Sequence, residues 1–304
     1  MKHLGTGREI VIAIQIPFDF AQSRALSAAP QNNRGRGTAF TLIELLVVIA
    51  VIALLMAILL PVLGKVRKQA KTLACQARLR QWGITLHTYA AENDGKLPAS
   101  TGENLGNWLG AWRPLLQREQ DRSEIFLCPM TAVPGGSGVW AGSTFKAFSV
   151  SLGSLAGPAP TRQLLCGSYG WNRYVAVPSD SADNRPYYWG SLDVKMAAGA
   201  PLFFDCTLPW FGPTDEAMNS PPECEDPEHS YGSTAIDATH RVCINRHAGG
   251  INMTFLDGSV RKVGLKELWT LKWHRQYNTA NRWTQAGGVQ PEDWPEWMRK
   301  FKDY

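Results

Sequence analysis

"AFTLIELLVVIAVIALLMAILLPVLGKVRK", residues 39–68, is a long apolar run with one carboxylate, Glu44, at its entrance and a proline, Pro61, near its exit. From Leu45 to Gly64, twenty consecutive residues carry no charge. At about 1.5 Å per helical residue they cover about 30 Å, the hydrocarbon thickness of a bilayer. A secretory signal has a shorter apolar core, about 7–15 residues, followed by a small-residue cleavage site. Here the small residues Gly37-Thr38-Ala39 come before the run. The stretch therefore reads as a membrane-spanning helix, and it divides the chain. From residue 92 onward the remainder is long enough for one sizeable domain with its own core.

The helical pattern does not stop at the membrane run. Apolar residues recur at Val66, Ala70, Leu73, Ala77 and Ile84, with a second row through Ala74, Leu79, Leu86 and Ala90. That spacing predicts one helix from about Thr41 to Ala91, membrane-embedded in its first half and packed on the globular part in its second. Pro61 removes a backbone donor and is expected to kink it. "ENDGKLP", residues 92–98, ends it, with Asp94-Gly95 as the turn and Pro98 as the stop.

The formal net charge is +5, but Lys65, Arg67, Lys68, Lys71, Arg78 and Arg80 gather just after the apolar run. That placement fits a membrane-proximal surface and not nucleic acid. Read alone, the excess of basic residues after the helix would put the large domain in the cytoplasm. The six cysteines, Cys75, Cys128, Cys166, Cys206, Cys224 and Cys243, form no CxxC pair, which argues against a zinc ribbon or a thioredoxin-type motif. Their even number suits an oxidising compartment. Disulfides and free buried thiols both stay open, and Cys75 with Cys128 is the first pairing to consider.

Past Pro98 the chain is rich in Gly, Pro, Ser and Trp. The apolar runs "EIFLCPM" (124–130), "QLLCGSYGWNRY" (163–174), "APLFFDC" (200–206) and "RVCIN" (241–245) predict short strands between long loops. In "RHAGGINMTFLDGSVRKV", residues 246–263, Ile251, Met253 and Phe255 alternate with Asn252 and Thr254. Asp257-Gly258 there predicts a β-hairpin with a two-residue turn of type I′. "LKELWTLKWHRQY" (265–277) predicts a short helix that packs aromatic rings onto the sheet.

"RGTAFTLIELL" resembles the processing site of type IV prepilins and type II secretion pseudopilins. The resemblance implies a leader ending at Ala39, cleavage by a prepilin peptidase, N-methylation at Phe40, and Glu44 as the family's glutamate at the fifth mature position. It also implies a head outside the cytoplasm, against the charge bias. A carboxylate at mid-membrane costs about 2.5–3.5 kcal/mol, less near the interface, and such groups usually have a partner. Cleavage before Phe40 supplies one, since the new amine of one subunit can neutralise Glu44 of its neighbour. His247, nine intervening residues and Asp257-Gly258 resemble the H-X9-DG element of many prepilin-type proteins. The implied fold is α+β and pilin-like, with one long N-terminal helix packed on a mainly antiparallel sheet head with long loops. Its parts are a leader (1–39), the transmembrane half of the helix (40–64), an amphipathic half (65–91) and a head (92–304). The implied role is a structural subunit in the inner membrane, its head in the periplasm or at the cell surface and its partners other pilin-like subunits.

Catalytic signals are missing from the sequence: there is no GxSxG, P-loop or HExxH. His247 and Asp257 are accounted for as a loop tie and a turn former. An ion held by His247, Asp257 and Asp205 or His240 would be calcium if oxygen donors dominate. No EF-hand pattern is present, and no cofactor is otherwise expected. Trp269, Trp273, Trp283, Trp294 and Trp297 near the C-terminus suit either a core or a sugar platform. A membrane-anchored carbohydrate-binding protein is thus the alternative reading, and a metal-dependent envelope hydrolase is a third.

Overall fold

The computed structural model describes residues 41–99, 123–133, 141–151, 164–178, 185–213, 220–226 and 239–304. The expected leader and the Ala39/Phe40 junction lie outside them. Chain contacts divide the protein into two units, residues 1–55 and 56–304.

Helix α1 (Leu42–Glu92) runs unbroken through Pro61. Its start is capped locally: the Thr41 amide and hydroxyl both donate to Glu44 Oε2, at 2.8 and 2.7 Å, and the Glu44 amide donates back to Thr41 Oγ1 at 3.2 Å. Thr-Leu-Ile-Glu is thus a capping box as well as an apolar entrance. Residues 41–70 are all exposed, and the helix is long and apolar enough to cross a membrane. Asp94 (φ 54°) and Gly95 (φ 75°) turn the chain out of the helix in left-handed geometry, and the Gly95 amide closes on Ala90 O at 2.8 Å.

The second unit holds a five-stranded sheet in the order β5-β3-β4-β6-β7 and a separate two-stranded ribbon, β1 (Phe148–Ser151) with β2 (Leu164–Gly167). In the larger sheet β3 (Tyr169–Asn172), β4 (Pro201–Asp205), β6 (Gly250–Phe255) and β7 (Val260–Gly264) pair antiparallel, while β5 (Trp210–Phe211) runs parallel to β3. Both faces of the sheet are covered. On one side Cys75, Leu79, Trp82 and Leu86 of α1 pack with Tyr169, Trp171, Phe203 and Leu256. On the other, Ile251, Met253, Phe255 and Phe204 meet Leu268, Trp269, Trp273 and Trp294 of the C-terminal segment. Each fully buried side chain of this size contributes about 1.5–3 kcal/mol, so the helix face is held chiefly by burial.

Of the two apolar rows expected on the helix, the second is the buried one, through Leu79, Leu86 and Ala90. Cys75 and Trp82 join it, while Val66, Leu73 and Ile84 of the first row are exposed. The hairpin also differs in detail. Asn252 and Thr254, the polar positions of the alternation, are fully buried because they face α1. Gln76 Nε2 donates to Asn252 Oδ1 at 3.0 Å, Asn252 Nδ2 donates to Thr72 O at 3.3 Å, and Thr254 Oγ1 donates to Leu79 O at 2.9 Å. Helix and strand run alongside each other, and a Cβ on Gly83 would stand 3.0 Å from Thr254 Cγ2.

The turn is a three-residue loop and not type I′. Phe255 N donates to Ser259 O, Gly258 N donates to Phe255 O, and Gly258 alone is left-handed (φ 78°). Two expected strands are turns and irregular chain instead: "EIFLCPM" starts in a 3-10 turn, Ser123–Phe126, "RVCIN" leads out of another, Thr239–Arg241, and the expected helix over 265–277 shrinks to a 3-10 segment, Lys266–Thr270. A last short helix, α2, spans Glu296–Arg299.

Candidate functional site

Four elements bring Cys75, Cys128, Asp205 and His247 together on the α1 side of the sheet. Cys75 projects from α1; Cys128 follows the first 3-10 turn; Asp205 ends β4; His247 opens the loop into β6. Each position is set by backbone bonding around it. The turn carrying Cys128 is tied to the start of β3 by Ser168 N, which donates to Phe126 O at 2.9 Å, and by Tyr169 Oη, which donates to Leu127 O at 3.3 Å. The His247 amide donates to Gly250 O at 2.9 Å, closing a loop whose Ala248 and Gly249 are left-handed (φ 50° and 89°).

The four donor atoms lie within 4.8 Å of one another, and the residues are 0, 1, 0 and 3% exposed. Cys75 Sγ is 3.7 Å from each Asp205 oxygen, Cys128 Sγ is 3.4 Å from His247 Nε2, and that Nε2 is 3.1 Å from Asp205 Oδ2. The pair first considered for a disulfide is therefore adjacent but unbonded: both thiols are free, turned toward the carboxylate and the imidazole.

Around the four stands a second ring of partners. Thr72 Oγ1 contacts His247 Nδ1 at 3.0 Å. The Asn252 amide donates to Asp205 Oδ2 at 2.8 Å. Arg246, fully buried, donates from Nη1 to Asp205 Oδ1 (3.0 Å) and Ser168 O (2.7 Å), from Nε to Thr144 O (2.7 Å), and from Nη2 to Ser143 O (3.2 Å) and Cys206 O (3.3 Å). A guanidinium has five N–H groups, and five acceptors meet them here.

Charges in the site are set by these neighbours. Burial alone would push the Asp205 carboxyl up, but the His247 hydrogen bond and the Arg246 charge outweigh it and hold it below the usual range. For His247, burial favours the neutral ring, yet its bonds to Asp205 and Cys128 lift it to about 9. Burial raises the Cys75 thiol well above its ordinary value. Cys128 feels the same burial, but bonding from Cys75 and His247 brings it down to about 7.

A hydrolytic triad places nucleophile and carboxylate on opposite nitrogens of the imidazole. Here Cys128 and Asp205 both approach Nε2 while Nδ1 faces Thr72, so the arrangement converges on a point instead of relaying a proton. Convergent donors of this kind can hold a metal ion. Two of the residues, Asp205 and His247, are among those expected from the sequence. Asp257 is elsewhere: it is exposed, and its carboxylate accepts from Ser259 N at 2.9 Å and Ser259 Oγ at 2.6 Å, shaping the turn. His240 lies outside the cluster as well. Cys75 and Cys128 as donors, and Arg246 as their neighbour, were not legible, because positions 75, 128, 205 and 247 share no local spacing.

Four of the five tail tryptophans are interior. Trp269, Trp273, Trp283 and Trp294 are buried and Trp297 is half-buried, with its Nε1 donating to Pro222 O at 2.8 Å. The four buried rings offer no face for a sugar platform.

In comparison with known families, residues 36–60 match the model of the prokaryotic N-terminal methylation motif. No curated protein and no solved structure matches the chain. The match covers the start of α1 and the residues just before it, so the chain carries a prepilin-type N-terminal segment joined to an α+β body.

Proposed function

We propose that this protein is a pilin-like structural subunit of a type II secretion or type IV pilus-like assembly. A prepilin peptidase cuts between Ala39 and Phe40, Phe40 becomes the methylated N-terminus, and α1 holds the subunit in the inner membrane with its head outside the cytoplasm. The role is mechanical and not enzymatic. The observation that carries this reading is the coincidence of the methylation motif, residues 36–60, with a helix whose residues 41–70 are exposed on every side. Within it, residues 45–64 are uncharged on every side, and such a surface needs either lipid or neighbouring helices to cover it. Movement from one cover to the other is what a filament subunit does.

Glu44 supports the same reading from chemistry. Its Oε2 already accepts two bonds from Thr41, which leaves the second carboxylate oxygen for the amine of an adjacent subunit. The test is the intact mass of the protein from native membranes, with its N-terminal residue identified by tandem mass spectrometry. A chain beginning at methylated Phe40 is the expected result. A chain that keeps the residues before Ala39, or is cut elsewhere, overturns the proposal.

A further inference from the structure

We propose that Cys75 Sγ, Cys128 Sγ, Asp205 and His247 Nε2 form a closed tetrahedral site for one divalent ion of the zinc class. By binding, the ion fastens the amphipathic half of α1 to the head sheet.

Geometry comes first. A tetrahedron with Zn–S near 2.3 Å and Zn–N or Zn–O near 2.1 Å has donor–donor edges of about 3.4–3.8 Å. The contacts found are 3.7 Å from Cys75 to Asp205, 3.4 Å from Cys128 to His247 and 3.1 Å from His247 to Asp205. These three edges match that range within a few tenths of an ångström, and since all four donor atoms lie within 4.8 Å of one another, an inward shift of at most about 1 Å closes the rest of the tetrahedron around an ion. Donor chemistry then selects the ion. Two thiols and an imidazole are soft to borderline ligands that suit zinc, whereas calcium takes an all-oxygen shell of six or more.

The orientation of His247 follows from a hydroxyl. Thr72 has one O–H, and it donates to Lys68 O one helical turn back at 3.0 Å. It can meet His247 Nδ1 at 3.0 Å only as an acceptor, so Nδ1 carries the proton. An ion that displaces the Nε2 proton then meets its lone pair on the side where Cys128 Sγ and the Asp205 carboxylate stand. Metal-ligating histidines are characteristically held this way through their other nitrogen. Asp205 is likewise oriented by Arg246 and the Asn252 amide.

Charge balances too. Two thiolates and a carboxylate bring three negative charges into a fully buried place; a divalent ion and the Arg246 guanidinium bring three positive ones. Four protein ligands and no exposed position mark a structural centre, not a catalytic one. The inference does not depend on cleavage at Ala39 and holds for precursor and processed chain alike.

The test uses the full chain purified in detergent. Metal content is measured by plasma mass spectrometry, and the apoprotein is titrated with Co2+ while its visible spectrum is recorded. We expect about one zinc per chain, and an intense tetrahedral Co2+ spectrum with thiolate charge-transfer bands. Zinc is retained in Cys224→Ser, whose thiol is exposed. Thr72→Val keeps all four ligands and weakens zinc binding about 10- to 100-fold. A weak octahedral Co2+ spectrum from folded wild-type protein, or recovery of a peptide joined by a Cys75–Cys128 disulfide, overturns the proposal. Because both readouts use the wild-type chain, they remain decisive even where a ligand variant does not fold.

Discussion

Thr254 donates its hydroxyl to the main-chain carbonyl of Leu79 at 2.9 Å, so a central strand of the head is bonded directly to the backbone of the long helix. The accepting carbonyl belongs to a helix that bonds it internally as well. Thr254→Val therefore keeps the shape and removes one bond, at a cost of about 1 kcal/mol. Gly83→Leu, aimed at the same contact, must push strand and helix apart and costs about 1–3 kcal/mol or more. Denaturant unfolding of the two variants checks the order.

Metal removal gives a larger effect. With zinc at about a thousand times its dissociation constant, the bound ion adds about 4 kcal/mol to stability. For a domain of this size, chelation then lowers Tm by on the order of 10 °C. Adding zinc back restores the original value, and calcium does not. Calorimetry with and without chelator follows both steps.

Arg246→Met is expected to cost about 3–5 kcal/mol. It takes the Arg246 charge from the buried Asp205 carboxylate, leaving His247 as its remaining ion-pair partner, and removes the donor from four main-chain carbonyls. Arg246→Lys does not rescue it, because a single ammonium cannot meet five acceptors. Thermal unfolding of both variants distinguishes a need for charge alone from a need for the planar fork.

Thiol labelling should follow burial. At pH 8 a small alkylating reagent modifies the exposed Cys224 first. Burial pushes Cys206 up to about 11 and raises Cys243 further. A raised pKa keeps the thiol protonated below that value, so neither forms much of the reactive thiolate at pH 8 in the folded protein. Peptide mapping after brief labelling gives the order.

The proposed role in assembly would give Glu44 a second job beside its observed cap, and a pair of variants tells the two apart. Glutamine serves at the third position of a capping box, so Glu44→Gln keeps the helix start but removes the charge. Normal membrane insertion with loss of filament assembly is expected for Gln, whereas Glu44→Ala also frays the first turn. Fractionation of membrane-bound and sheared material reports both. Assembly undiminished in Glu44→Gln would refute the charge-pairing role.

Much of this fold was readable where periodicity is long. A helical period sustained over 51 residues identified α1 itself, though not which of its two apolar rows packs, and Asp94-Gly95 marks the helix end by backbone chemistry alone. "EIFLCPM" and "RVCIN" were misread as strands because runs that short look alike in a strand and in a buried turn. The burial of Asn252 and Thr254 was not legible for another reason. Alternation identifies two faces, but it does not say that the polar one will meet a helix backbone instead of water. The site was half legible. Asp205 and His247 stood out as chemistry-bearing residues, while Cys75 looked like any small apolar member of a helical row. Only the crossing of α1 over the ends of β4 and β6 makes it a ligand.

The contacts between α1 and β6 also decide how the head resists pulling. Thr72 meets His247, Gln76 meets Asn252, Leu79 meets Thr254, and His87 Nε2 meets Leu256 O at 3.1 Å. From Thr72 to His87 these attachments spread along about 22 Å of helix. Tension applied along the helix axis loads them side by side, in shear, so they must give way together instead of peeling open one after another. A subunit drawn by its helix thus carries its head along as a single mechanical piece.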